Sequence, residues 1–227
     1  MGRYDLRMKK IAVVLAGSGV NDGSEIHEAV ITLLTIKRNN ADYVCFAPNK
    51  KQYEVIDHTR NKSVDNEQRN MLVESARIAR GDIKDLKMYD PKDFDALVFP
   101  GGLGVAKNLF TYAIDGVECE IDDTVADAIL DTKEAGKPIG AICISPLLVT
   151  RAFKDSNVKP KVTIGDNEDL IAAVKNFGGR PVKKKVNEIC YDEVFKIVST
   201  PAYTIAQDIA EAASGIEKLV KKIIEIS

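Results

Sequence analysis

The stretch KIAVVLAG, residues 10–17, is a continuous apolar run that is rich in β-branched side chains and ends in glycine. Such a run is typical of a strand that is buried on both faces of a parallel sheet. A turn-rich loop, GSGVNDG at residues 17–23, follows it, and apolar residues then recur at helical spacing from Ile26 to Leu34. The chain therefore opens with a β-loop-α unit.

The same alternation of apolar strands and amphipathic helices continues to the end of the chain. Further strands are predicted at 43–47, 96–99, 138–143 and 196–199, and further helices at 67–79, 124–134, 168–177 and 206–224. Alternation of this kind favours right-handed βαβ crossovers, so we predict an α/β fold: a flavodoxin-like, three-layer αβα arrangement with a mainly parallel sheet. Ligands bind such sheets at the carboxyl ends of the strands. The polar stretches 57–67 and 180–188 are predicted to be surface insertions.

The composition is that of a globular protein with a small-molecule partner. Of the 227 residues, 45% are hydrophobic and 29% are charged, and the net charge of −2 offers no basic surface for nucleic acid or an anionic membrane. No apolar run reaches the roughly 20 residues that cross a bilayer, and the N-terminal segment is too polar for a signal peptide. We predict a cytoplasmic protein of bacterial type, with an N-terminal extension at 1–8 and a single domain at 9–227.

The chain has four cysteines and no C-x-x-C pair: Cys45, Cys119, Cys143 and Cys190. Neither of its histidines, His27 and His58, lies at metal-ligand spacing from a cysteine or from the other histidine. We therefore expect free thiols, no disulfide, no metal and no cofactor. Cys45 and Cys190 lie within strand patterns and are expected to be inert, whereas Cys119 is expected at the surface or at a helix start.

Cys143 is the strongest candidate for chemistry. It lies in PIGAICISP, residues 138–146, where an apolar strand is followed by a short helix with Pro146 in its first turn. The small residues Ala141 and Ser145 leave room for the sharp turn that carries a nucleophile. Because a helix N-terminus stabilises negative charge, we expect this thiol to be more ionised than that of a free cysteine. The alternative is a buried, inert cysteine, and the small-x-Cys-x-small pattern favours the nucleophile.

Backbone donors are predicted at the same edge of the sheet. The segment Pro100-Gly101-Gly102 ends the strand 96–99, and glycines leave backbone N–H groups accessible to a ligand. The N–H groups of Gly102 and Ile144 could therefore form an oxyanion hole. A plain tight turn is an equally good interpretation of this motif.

Glu25 begins the first predicted helix, on the edge where Cys143 emerges. It is either a proton carrier for the thiol or, with Asp22, part of a capping box, and the spacing alone favours the cap. The glycines of the loop at residues 17–23 favour nucleotide binding only weakly. Their spacing is one residue too long for a dinucleotide-binding motif, and the loop lacks the lysine of a P-loop.

Several segments carry a family resemblance: GSEIHEA (23–29), CFAP (45–48), PGG (100–102), AKNL (106–109), GAICISP (140–146), TPAY (200–203) and AEAASGI (210–216). Together they closely resemble the ElbB-like family, named for a link to isoprenoid biosynthesis. This family is a branch of the PfpI-like, class I glutamine amidotransferase-like superfamily. The resemblance covers nearly the whole chain, and the cysteine turn and GSEIHEA are its most specific parts.

The resemblance implies a flavodoxin-like fold with Cys143 as the nucleophile and Glu25 as its close carboxyl partner. It also implies a glyoxalase-type enzyme that needs no cofactor and converts small dicarbonyls, such as methylglyoxal and glyoxal, to 2-hydroxy acids through a cysteine hemithioacetal. A homodimer is expected from the family and from the prevalence of symmetric dimers.

The sequence departs from the superfamily's amidotransferases and proteases. Glutaminases need a histidine base after the nucleophile, but both histidines here precede Cys143. Relatives with protease-type sites carry histidine directly after the cysteine, where this chain has Ile144. Glutaminase and protease activities are therefore not expected. Two alternatives to the glyoxalase-like enzyme remain: a cysteine-based redox or electrophile sensor, and a binding or scaffold protein without catalysis.

Overall fold

A seven-stranded sheet forms the centre of the computed structural model, which describes residues 7–227. The strands are β1 (Lys10–Val14), β2 (Asp42–Ala47), β3 (Ile56–Asp57), β4 (Lys62–Ser63), β5 (Ile83–Asp85), β6 (Ala96–Phe99), β7 (Ile139–Ile142), β8 (Lys161–Val162), β9 (Arg180–Pro181), β10 (Cys190–Asp192) and β11 (Ile197–Thr200). The helices are α1 (Ile26–Arg38), α2 (Met71–Ile78), α3 (Tyr112–Asp115), α4 (Asp123–Glu134), α5 (Ser145–Ala152), α6 (Glu168–Asn176) and α7 (Ile209–Ile226).

The central sheet has the strand order β10-β11-β7-β6-β1-β2-β5. Every neighbouring pair is parallel except β10 and β11. The chain builds outward from β1 through β2 to β5, then returns to β6 and builds in the other direction. The order therefore reverses between β1 and β6, and ligands bind open α/β sheets in the crevice at such a switch point.

The side chains of β1 show why this sheet has a layer on each face. Ile11 and Val13 pack into the core that α1 and α7 cover, whereas Ala12 and Val14 pack into the core beneath α4, α5 and α6. All four are fully buried. Because successive residues of a strand point to opposite faces, only a strand covered on both sides is apolar throughout. The predicted three-layer, mainly parallel α/β fold is confirmed.

Most predicted elements are present with shifted ends. The helix predicted from residue 67 begins at Met71, because the Asn70 side chain caps it by accepting the N–H of Val73. The predicted insertion at 57–67 contains the hairpin of β3 and β4. The edge strand β5 was not predicted, since three residues are too few to show an apolar pattern. Of the predicted extension at 1–8, residues 1–6 lie outside the described part of the chain.

Four chain segments meet at the carboxyl edge of the sheet beside the switch point. They are the loop from β1 to α1, the Pro100-Gly101-Gly102 loop after β6, the turn after β7 that contains Cys143, and the segment after β11. No helix within residues 7–227 is both long and apolar enough to span a membrane.

Candidate active site

Cys143 follows β7 with a φ of 61°, a conformation that residues with a side chain rarely adopt. Its N–H donates to the carbonyl of Thr200 at the end of β11 (3.0 Å). Ser145 at the start of α5 donates its hydroxyl to the carbonyl of Pro100 (2.8 Å), which ties the helix to the loop after β6. The predicted sharp strand-to-helix turn is therefore present, and it leaves 9% of Cys143 exposed.

The loop after β6 approaches this turn so closely that only glycine fits. A Cβ atom at Gly101 would lie 2.4 Å from the Cβ of Cys143 and 2.6 Å from Oε2 of Glu28. Gly102 has a φ of 115°, and a Cβ atom there would lie 2.4 Å from the backbone nitrogen of Glu25. The two glycines thus let the backbone touch both the thiol turn and the start of α1.

The carboxyl group beside the thiol belongs to Glu28, in the first turn of α1. The residue is fully buried, and its carboxyl group shares a hydrogen bond with the Cys143 thiol. Its Oε2 accepts the N–H of Gly101 (2.9 Å), and its Oε1 accepts the N–H of Tyr203 (3.2 Å). Segments from three strand ends are therefore fixed around one carboxyl group.

Glu25 is placed differently from what the family resemblance implies. Its Oε2 accepts the backbone N–H of Glu28 (2.7 Å), so its carboxylate caps α1. The assignment of Glu25 as the close carboxyl partner of Cys143 is therefore corrected: the hydrogen-bonded partner is Glu28, one turn further along the helix. The cap that the spacing favours is present, but Asp22 is not part of it, since Asp22 Oδ2 accepts the N–H of Ile56 instead (2.7 Å).

Tyr203 and His27 lie next to the two carboxyl groups. Ala202 has a φ of 43°, and this left-handed residue turns the chain after β11 so that the N–H of Tyr203 points at Glu28. The Tyr203 hydroxyl forms a 2.8 Å hydrogen bond with Nδ1 of His27, which is half exposed. The same Nδ1 lies 3.9 Å from Oε1 of Glu25. Glu28, Tyr203 and His27 were not predicted as site residues.

Burial sets the protonation of the central pair. Burial, together with the nearby charge of Glu25, raises the pKa of Glu28 to about 8. Burial and the charge of Glu28 hold the pKa of the Cys143 thiol well above its usual value. The expectation of an unusually ionised thiol is therefore wrong, because loss of hydration and a neighbouring carboxylate outweigh the start of α5.

The N–H groups of Gly102 and Ile144 both hydrogen-bond to the Cys143 sulfur, and both act to lower its pKa. These are the two donors predicted to form an oxyanion hole. In the resting site these two N–H groups stabilise negative charge on the sulfur. When the sulfur attacks a carbonyl, the negative charge passes to the substrate oxygen, which would lie within reach of the same two N–H groups. Their role toward an oxyanion stays a prediction.

The other three cysteines are buried and free. Cys119 was expected at the surface or at a helix start, but it is 1% exposed, and Arg151 donates to its carbonyl oxygen (3.1 Å). Burial raises the pKa of Cys45 to about 12. Across residues 7–227, histidine, cysteine, aspartate and glutamate side chains form no group of three or more that could hold a metal ion.

The chain is similar over almost its whole length to the human glutamine amidotransferase-like class 1 domain-containing protein 3. The two are 38% identical over 227 residues, which cover 96% of this chain and 83% of the human protein. This chain belongs to the same family. It therefore lies in the PfpI-like, class I glutamine amidotransferase-like superfamily. No protein-family model matches the chain.

Solved structures agree with this placement. An isoprenoid biosynthesis protein with an amidotransferase-like domain from Ehrlichia chaffeensis is 40% identical, with a TM-score of 0.90, and the match covers 96% of this chain and 99% of that one. Glyoxalase III from Candida albicans is 14% identical, with a TM-score of 0.61 over 96% of this chain and 97% of its own. At that identity, the second match shows a shared fold.

The relatives from Homo sapiens, Rattus norvegicus and Danio rerio are all named as mitochondrial proteins. These names give no support to the predicted cytoplasmic location, which stays a prediction.

Proposed function

We propose that the protein is a cofactor-independent, glyoxalase-like enzyme that acts on small dicarbonyl compounds, with Cys143 as nucleophile and Glu28 as proton carrier. The observation that carries this proposal is the hydrogen bond between the Cys143 thiol and the buried carboxyl group of Glu28. A thiol with a raised pKa is a poor nucleophile by itself. A carboxylate held against it can remove its proton as the sulfur attacks.

In the first step, the sulfur of Cys143 adds to the aldehyde carbon of methylglyoxal and Glu28 takes the thiol proton. The carbonyl π electrons move to the aldehyde oxygen, where the N–H groups of Gly102 and Ile144 stabilise the charge. Transfer of the proton from Glu28 to this oxygen completes a hemithioacetal. The ionised form of Glu28 is then restored.

In the second stage, Glu28 removes the hydrogen of the former aldehyde carbon as a proton and passes it to the ketone oxygen, which gives an enediol. Glu28 then takes the proton of the hydroxyl on the sulfur-bearing carbon, and a proton is delivered to the neighbouring carbon, which gives a thioester of lactate on Cys143. Water cleaves the thioester, releasing lactate and restoring the thiol. The sum is methylglyoxal plus water to lactate, which needs no external oxidant or reductant. A pKa near 8 suits a group that must both accept and release protons near neutral pH.

Three considerations support this function over the alternatives. The shared fold with a glyoxalase III makes the activity compatible with the scaffold. A glutaminase or protease would need a histidine base on the thiol, but the thiol is paired with Glu28, and His27 bonds to Tyr203. A sensor of dissolved oxidants relies on an exposed, ionised thiol, whereas Cys143 is buried with a raised pKa.

The finer assignments belong to the same proposal. Membership of the ElbB-like branch is supported by the motifs around residues 23–29 and 140–146 and by the 40% identity to the Ehrlichia chaffeensis protein. A link to isoprenoid biosynthesis is proposed because that relative is named as an isoprenoid biosynthesis protein. The homodimer expected from the family stays a prediction.

The test is the conversion of methylglyoxal to lactate by metal-free protein, with Cys143→Ala and Cys45→Ala as a matched pair. Wild type and Cys45→Ala should form one lactate for each methylglyoxal consumed, and Cys143→Ala should not exceed the buffer rate. Equal rates for wild type and Cys143→Ala would overturn the proposal, as would the absence of lactate with every variant.

A further inference from the structure

Tyr203 is attached to two consecutive residues of α1. Its hydroxyl forms a 2.8 Å hydrogen bond with Nδ1 of His27, and its backbone N–H donates to Oε1 of Glu28 (3.2 Å). The first contact is made by the side chain and the second by the main chain, so a shift of Tyr203 along α1 would break one of them. Glu28 is the proton carrier of the proposed reaction, whereas neither Tyr203 nor His27 has a role in it so far.

The carboxyl group of Glu28 depends on protein donors, because the residue is fully buried. The N–H of Gly101 donates to its Oε2 (2.9 Å), the N–H of Tyr203 donates to its Oε1, and the thiol of Cys143 shares a hydrogen bond with it. If the chain at Tyr203 moved away, Oε1 would lose its backbone donor. A buried carboxylate oxygen without a donor favours the protonated form, and a protonated Glu28 cannot accept the thiol proton.

The turn that carries Tyr203 is strained. β11 ends at Thr200, and Ala202, which is fully buried, has a φ of 43°. This left-handed conformation costs free energy in a residue that has a side chain, and it persists only where the surrounding structure holds it. The hydrogen bond between the Tyr203 hydroxyl and His27 is one contact that holds the turn against α1.

We propose that Tyr203 and His27 are positioning residues for Glu28. The bond between their two side chains holds the backbone N–H of Tyr203 on Oε1 of Glu28, and this keeps the carboxyl group oriented toward the thiol of Cys143. The inference rests on the proton-carrier role of Glu28 in the proposed function. The charge of Glu25 raises the pKa of Glu28, whereas the N–H of Tyr203 lowers it. Loss of the Tyr203–His27 bond should therefore make Glu28 harder to ionise.

The experiment measures the rate at which iodoacetamide alkylates Cys143 of the full chain from pH 6 to 9.5, by mass spectrometry of the peptide that contains it. The rate should rise as Glu28 ionises, because Glu28 takes the thiol proton as the sulfur attacks. In Tyr203→Phe this rise should move up by about half a pH unit, so that the rate falls about threefold at pH 7 and approaches that of wild type at the highest pH. Burial raises the pKa of the Tyr203 hydroxyl above its usual value, so its removal changes no charge in most of this range.

Variants of His27 test the bond from its other end. His27→Leu should shift the profile as far as Tyr203→Phe does, and the double variant should shift it no further, because both changes remove the same bond. His27→Asn, whose side-chain amide can hydrogen-bond from nearly the position of Nδ1, should retain the wild-type profile. Tyr191→Phe is the control: Tyr191 is a partly buried tyrosine of β10 whose ring lies under Nζ of Lys222, and loss of its hydroxyl should leave the profile unchanged.

Identical profiles for wild type and Tyr203→Phe overturn the inference. So does a loss of rate that is equal at every pH, because a general loosening of the site would not move the midpoint. Where alkylation is slow, the carboxyl ¹³C shift of Glu28, assigned with Glu28→Gln, gives the same midpoint by NMR. Neither measurement requires turnover. A shifted midpoint in a protein that does not convert methylglyoxal would therefore support the positioning of Glu28 and overturn only the proposed function.

Discussion

Cys45 and Cys143 are two buried cysteines in the same core, on the face of the sheet that α1 and α7 cover. Cys45 lies within β2, fully buried, and burial raises its pKa to about 12. Cys143 is almost as buried, but its turn aims the N–H groups of Gly102 and Ile144 at the sulfur, and Glu28 shares a hydrogen bond with it. Burial alone makes a thiol inert. Cys143 differs from Cys45 because a carboxyl group that can act as a base and two backbone N–H donors are buried beside its sulfur, and these groups make it a candidate nucleophile.

The largest expected effect separates the two carboxyl groups near Cys143. Glu28→Gln should lower kcat/KM for methylglyoxal by about 10²- to 10⁴-fold, because an amide cannot accept the thiol proton. Glu25→Gln, which alters the cap of α1 and removes the charge of Glu25, should lower it by no more than about tenfold. Steady-state kinetics on protein with native circular dichroism checks this. Equal losses in the two variants would contradict the assignment of the proton carrier to Glu28.

The next effect concerns pH. Glu28 can act as a base only when ionised, and its pKa is raised to about 8. The kcat/KM for methylglyoxal should therefore rise about tenfold per pH unit from pH 6 and level off above about 8. Rates measured from pH 6 to 9.5, with the protein-free rate subtracted, test this prediction. Glu28→Gln is the control, because its profile should lack the rise that ends near pH 8. A profile that is flat over this range would contradict the role of Glu28.

Much of this arrangement could be predicted from local sequence. The run at 10–17 indicates a strand covered on both faces, and the small residues around Cys143 indicate the turn, because both depend on neighbours in the chain. Glu28 could not be ranked above Glu25 in this way. Both lie at the start of α1, and the choice depends on how the helix is rotated against β6 and β11. The apolar pattern did not point to Glu28 either, because the residue one turn further along its face is the polar Thr32, which only the fold shows to be buried.

Other errors have the same origin in contacts between distant segments. Cys119 was expected at the surface or at a helix start, but it is buried, and Arg151 of α5 donates to its carbonyl oxygen. The expectation of an ionised Cys143 considered the helix start alone. It was overturned by a carboxyl group 115 positions earlier in the chain.

The smallest expected effect is on stability, and it follows from burying Glu28. The pKa of Glu28 is 4.5 when unperturbed, as in the unfolded chain, and about 8 in the folded chain. Between pH 4.5 and about 8, the folded chain therefore binds a proton that the unfolded chain does not. This contribution to the free energy of unfolding is fully present below about pH 4.5 and is lost as the pH rises through about 8, with a slope of at most about 1.4 kcal/mol per pH unit.

Urea unfolding at pH 5, 6, 7 and 8 should show this loss in wild type and not in Glu28→Gln, so the difference between the two should change steadily with pH. Cys45→Ala provides the comparison: it should lower stability by a similar amount at each pH, because a thiol with a pKa of about 12 does not titrate in this range. Parallel pH curves for wild type and Glu28→Gln would mean that Glu28 is already ionised at neutral pH. Glu28 would then have a lower pKa than its burial implies, and it would be a weaker base toward the thiol of Cys143.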